Sequence, residues 1–75
     1  MKPTILVNNN IKYLRAKAGF SQKELAEKVG CSRESIQKIE KNNMIPSLEL
    51  AHNIAVSLGV NEEEIFVFEP IQAAN

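Results

Sequence analysis

The chain has 75 residues, an apolar content of 44% and a formal net charge of zero. This is the size of one small domain with an efficient core. The lone Cys31 excludes an internal disulfide scaffold and suits a reducing, cytoplasmic setting. The absence of any run of about 18 apolar residues excludes a membrane-spanning helix. The start, MKPTILVNNN, lacks the apolar length and cleavage site of a signal peptide.

The zero balance hides a division. Residues Lys2 to Lys41 carry all nine basic side chains against four acids, a net +5. Residues Asn42 to Asn75 carry five Glu and no Lys or Arg. A two-signed chain of this kind can still offer a basic face to phosphate.

Taken in order, Met1 to Val7 is an arm in which Thr4, Ile5, Leu6 and Val7 have strand propensity. Asn8 to Asn10 reads as a loop and a source of helix N-caps. A first helix is predicted from Asn9 to Ala18, with Ile11, Leu14 and Ala18 on one face and Gly19 at its end. Phe20 stands ready to staple onto the second helix, predicted from Ser21 to Val29 with a capping box between Ser21 and Glu24.

Gly30 supplies a sharp turn, and a third helix runs from Ser32 to Lys41. Asn42 and Asn43 can end it in a left-handed conformation. After a loop at Met44, Ile45 and Pro46, Ser47 caps a fourth helix. Its inward stripe is Leu48, Ala51, Ile54, Ala55 and Leu58, closed by Gly59. Asn61 and Glu64 cap a short fifth helix from Glu62 to Phe66, and a tail follows from Val67 to Asn75. The expected organisation is one all-α domain over 1–75: an arm over 1–8, a five-helix core over 9–66 and a tail over 67–75. Short terminal strands are compatible with it, with Thr4 to Val7 able to pair with Phe66 to Phe68 within or across subunits.

Residues 21 to 40, SQKELAEKVGCSRESIQKIE, carry the functional signal. Two helices that cross steeply through a very short turn need a residue without Cβ at the turn, met by Gly30. They need a small residue at the crossing, met by Ala26, and apolar inner faces, met by Leu25, Val29, Cys31, Ile36 and Ile39. The outer face of the second of them must then carry groups that reach base edges. Ser32, Arg33, Glu34, Gln37 and Lys38 provide them.

That stretch resembles the Cro/cI-type helix-turn-helix regulators, the lambda-repressor-like or XRE family. The likeness continues through Pro46-Ser47-Leu48-Glu49-Leu50-Ala51, Ile54-Ala55 and Leu58-Gly59-Val60, and covers Ile11 to Phe66. The resemblance implies a bacterial or phage repressor that binds a palindromic double-stranded operator as a homodimer. Its third helix would enter the major groove, with Ser32, Arg33, Glu34 and Lys38 at the bases. Gln22, Ser35, Lys41 and Asn43 would meet phosphate. Arg15 and Glu40 would form a structural ion pair.

Two departures from the family pattern stand out. Lys41 and Asn42 replace its common Asn-Gly, and the loop from Asn42 to Ser47 carries no basic residue. Fewer phosphate contacts make dimerisation more necessary. The apolar Phe66, Val67 and Phe68 are the expected dimer interface.

No cofactor, metal site, small-molecule ligand, membrane contact or catalytic constellation is expected. Cys31 reads as a small core residue, His52 as part of an exposed face, and Glu62 to Glu64 as dipole compensation. An antitoxin-like or other protein-interaction module on the same fold stays open as the alternative.

Overall fold

The computed structural model describes residues 3–71. Strand β1 (Thr4–Asn9) leads into helices α1 (Ile11–Ala18), α2 (Gln22–Val29), α3 (Arg33–Glu40), α4 (Leu48–Leu58) and α5 (Glu62–Ile65). Strand β2 (Phe66–Pro70) follows. The architecture is five helices plus one two-stranded antiparallel sheet made by the two ends of the chain.

Local chemistry explains the helix boundaries. Ser21 Oγ accepts the Glu24 amide at 3.0 Å and Glu24 Oε1 accepts the Ser21 amide at 2.9 Å, so the expected capping box is formed. Those hydrogen bonds hold the Glu24 carboxyl below its ordinary pKa, the Ser21 backbone amide first among the causes. Ser47 Oγ caps α4 through the Leu50 amide at 3.1 Å. Phe20 sits half-buried under α2, with Lys28 Nζ 4.8 Å from the centre of its ring.

Each helix sends at least one large apolar side chain into a common core. Ile11, Leu25, Ile36, Ile39, Ile54 and Ile65 are fully buried. Burying a side chain of this size stabilises the fold by about 1.5–3 kcal/mol.

The sheet corrects the predicted boundaries. β1 extends to Asn9, so α1 begins at Ile11 rather than Asn9, and Val67 to Pro70 is strand rather than loose tail. Leu6 pairs with Phe68 and Asn9 with Phe66, with a bulge between Leu6 and Asn8. The expectations for Met1–Lys2 and for residues 72–75 lie outside the described residues.

Three apolar assignments also change. Ala18 is exposed because the last turn of α1 runs past the core. Leu48 belongs to the predicted inward stripe but is 88% exposed, whereas its neighbours Leu50 and Ala51 pack against the core. Phe66 is 8% exposed, so it finishes the core and offers the expected dimer interface only an edge, at the floor of a groove. Val67 and Phe68 remain at the surface.

Candidate nucleic-acid interface

The site begins at the turn between α2 and α3. Gly30 has φ +76°, and the amides of Gly30 and Cys31 both bond the Ala26 carbonyl, at 2.9 and 3.0 Å. A side chain at residue 30 would strain this left-handed turn. Ser32 then caps α3: its Oγ accepts the Ser35 amide at 3.1 Å and lies 3.0 Å from Ser35 Oγ. The two serine hydroxyls expected at base and phosphate are therefore already engaged with each other. Cys31 packs against the core, and burial pushes its thiol pKa up, away from nucleophilic use.

On α3, Ile36 and Ile39 point into the core while Arg33, Glu34 and Lys38 are exposed. Lys41 and Asn43, just past the helix, are exposed as well. The Lys41 amide bonds the Gln37 carbonyl at 3.1 Å and the Asn43 amide bonds the Lys38 carbonyl at 2.8 Å. Asn42 takes φ +61°, as its position after the helix predicts.

A partly buried polar network fixes this helix from behind. Arg15 Nε donates to Glu40 Oε2 at 2.7 Å and Arg15 Nη2 to Glu40 Oε1 at 3.3 Å. Arg15 Nη1 donates to the Phe20 carbonyl at 2.9 Å, which also ties down the start of α2. Gln22 Nε2 donates to Glu40 Oε1 at 3.1 Å, and Gln37 Nε2 donates to Gln22 Oε1 at 3.3 Å.

Both glutamines depart from expectation. Gln37 is half-buried in this network rather than displayed outward, and the Gln22 side chain is committed to Glu40. Glu40 Oε1, already held by Arg15 Nη2, accepts Gln22 as a second donor, and Gln22 Oε1 in turn accepts Gln37. What α2 offers phosphate is its N-terminal backbone. The capping box uses the Ser21 and Glu24 amides and leaves those of Gln22 and Lys23.

A second cluster was invisible in the sequence, where Asn8 to Asn10 read as loop. Asn9 Nδ2 donates to the Ile39 carbonyl at 2.8 Å and to Asn42 Oδ1 at 2.9 Å. Asn42 Nδ2 donates to Asn8 Oδ1 at 3.1 Å. Only the strand assignment could have brought these residues to the end of α3. Away from this cluster Glu62, at the start of α5, bonds His52 Nδ1 at 2.8 Å. Its pKa is lowered first by a backbone hydrogen bond and then by His52.

Comparison with known proteins gives this geometry a family. The helix-turn-helix family profile HTH_3 matches residues 11–65. The chain belongs to the XRE-type helix-turn-helix transcriptional regulators.

An uncharacterised regulator of this type from Methanocaldococcus jannaschii is 46% identical over 63 residues, spanning 84% of this chain and 96% of the relative. Among solved structures, a putative DNA-binding protein from Bacteroides fragilis aligns with a TM-score of 0.75 at 27% identity. The alignment covers 84% of this chain and all of that one. The biofilm regulator SinR, solved in complex with DNA, aligns with a TM-score of 0.67 at 33% identity, over 72% of this chain and 87% of SinR.

This XRE-type protein is a DNA-binding transcriptional regulator and not an enzyme. An archaeal relative of such similarity removes the basis for assigning it to a bacterium or phage. No described helix of the regulator is long and apolar enough to cross a membrane.

Proposed function

We propose that the protein is a cytoplasmic repressor that binds a palindromic operator as a homodimer, with α3 in the major groove. The observation that carries this reading is the outward face of α3. Arg33, Glu34 and Lys38 are exposed on a helix whose other side is locked by Ile36, Ile39 and Glu40. A rigid helix presenting a guanidinium can read guanine through O6 and N7. Glu34 accepts from cytosine or orients its basic neighbours, and Lys38 reaches one turn further along the groove. Ser32 serves chiefly as the cap that sets where Arg33 begins. Lys41, Asn43 and the first amides of α2 meet phosphate, with Ser35 supporting the cap. SinR, a relative solved on DNA, makes the same use of the fold plausible.

Selection of bound duplexes from a random library tests the reading. A palindromic consensus is expected, with half-site centres about 34–36 Å apart or a multiple of that spacing. Arg33→Ala should then weaken binding to the selected duplex by about 1–3 kcal/mol and relax the preference at one position of each half-site. Failure to enrich any sequence at low salt would sink the proposal.

The two-fold contact is assigned to an apolar groove rather than to the tail alone. Ile45 (76% exposed), Leu48 and Phe68 (58% exposed) are surface side chains around a groove completed by Leu6, Ala51 and Phe66. Its walls are almost wholly apolar, which suits an isologous contact between identical patches. Sedimentation equilibrium should give a dimer for the native chain and a monomer for Phe68→Asp and Leu48→Asp. Dimers of unchanged mass in both variants would move the interface elsewhere. A native monomer would favour the interaction-module reading, in which a different protein fills the groove.

A further inference from the structure

We propose that Asn9 is a positioning residue for DNA reading: with Asn42 it latches the C-terminal end of α3 to the terminal sheet and so sets the tilt of the helix. The inference rests on α3 being the base-reading helix.

The latch has several independent anchors. Asn9 Nδ2 reaches both the Ile39 carbonyl and Asn42 Oδ1, at 2.8 and 2.9 Å. Asn9 Oδ1 accepts the Ile11 amide at 3.1 Å, which fixes the same side chain to the start of α1. Asn8 Oδ1 holds the other end of the Asn42 amide at 3.1 Å. Neighbouring residues of a regular strand point to opposite faces, yet Asn8 and Asn9 both meet Asn42. The bulge immediately before them supplies the local twist that permits this.

Residue 42 itself argues for a selected contact. It is the only non-glycine with positive φ among the described residues. Glycine would adopt that conformation without strain. Asparagine tolerates it and in return uses both the oxygen and the nitrogen of its side chain to hold β1.

The lever arm makes the contact matter. Ile36 and Ile39 in the core and the Glu40 pair with Arg15 hold α3 from its inner side, which is its first anchor. Arg33 lies about 10 Å along the axis from Glu40, so a tilt of about 10° displaces it by about 2 Å. A base-edge hydrogen bond tolerates only about 0.5 Å. The latch supplies the second anchor, on the side facing the sheet.

Two substitutions break the latch while sparing the fold. Asn9→Ser keeps a side-chain oxygen, removes the amide donor aimed at α3 and adds no charge near the DNA. Asn42→Gly keeps the positive φ and removes the side chain. Each folded variant is titrated against the selected operator and against a scrambled duplex of the same length, beside the native protein. The operator-to-scrambled affinity ratio should fall on the order of tenfold, the discrimination that one misplaced base contact forfeits. Affinity for the scrambled duplex, governed by phosphate charge, should stay within about twofold. An unchanged ratio in both variants would overturn the latch, as would equal weakening on both duplexes. If the native chain itself shows no preference, the reading of α3 fails, and the latch fails with it. The native titration separates that outcome from the others.

Discussion

Replacing Glu40 by Ala is expected to destabilise the fold by about 3 kcal/mol, the lower end of the cost of breaking a buried pair, because it leaves a partly buried guanidinium without its counter-charge. The Glu40 side chain is 4% exposed and that of Arg15 is 13% exposed. Without Glu40, Arg15 retains only the Phe20 carbonyl among the partners described, and Gln22 loses an acceptor. At about 0.05–0.15 kcal/mol per residue, a domain of this size has roughly 4–11 kcal/mol in all. The loss is therefore a large fraction of the total, which urea denaturation followed by circular dichroism will measure. Arg15→Met combined with Glu40→Leu should recover most of that loss, since an apolar pair carries no desolvation cost. A loss from Glu40→Ala below about 0.5 kcal/mol, the range of ordinary surface changes, would show that the pair contributes nothing to the fold.

Ile36→Ala should cost about 2–5 kcal/mol by the same titration, through lost burial and an unfilled cavity. Ile36 is fully buried, on the inner face of the helix that carries Arg33. Leu48→Ala makes the informative contrast. Both residues occupy apolar stripes with helical spacing, but Leu48 is exposed, so its truncation should change monomer stability by less than about 0.5 kcal/mol. Measurement below the dimerisation concentration keeps the two effects apart. A loss at Leu48 as large as that at Ile36 would place Leu48 inside the fold.

That contrast shows what the sequence could and could not convey. Features controlled by neighbours along the chain were legible. Ser21 with Glu24, Ser32 and Ser47 marked helix starts, and Gly19, Gly30, Asn42 and Gly59 marked the four positive-φ helix ends among the described residues. The helix-turn-helix followed from these signals and from the spacing of its apolar residues. Periodicity places Leu48 on a face, but it cannot say that the first turn of α4 packs through Leu50 and leaves Leu48 outside. The sheet was open at best, because β1 and β2 are short and lie at opposite ends of the chain. Once it forms, Asn8 and Asn9 cease to be loop residues and Phe66 becomes core. Gln22 and Gln37 look like surface side chains until Glu40 is seen to accept a second donor.

The pairing of β1 with β2 also bears on the order in which the molecule assembles. Joining the two ends of the chain closes the largest loop available, and contacts between distant residues form late. The α2 and α3 pair is held by contacts between near neighbours, which form early. Folding should run from the middle of the chain outward, with the terminal sheet last to join and first to open. The DNA-reading unit would then outlast fraying at the ends, while the tilt set by the latch would come and go with the sheet.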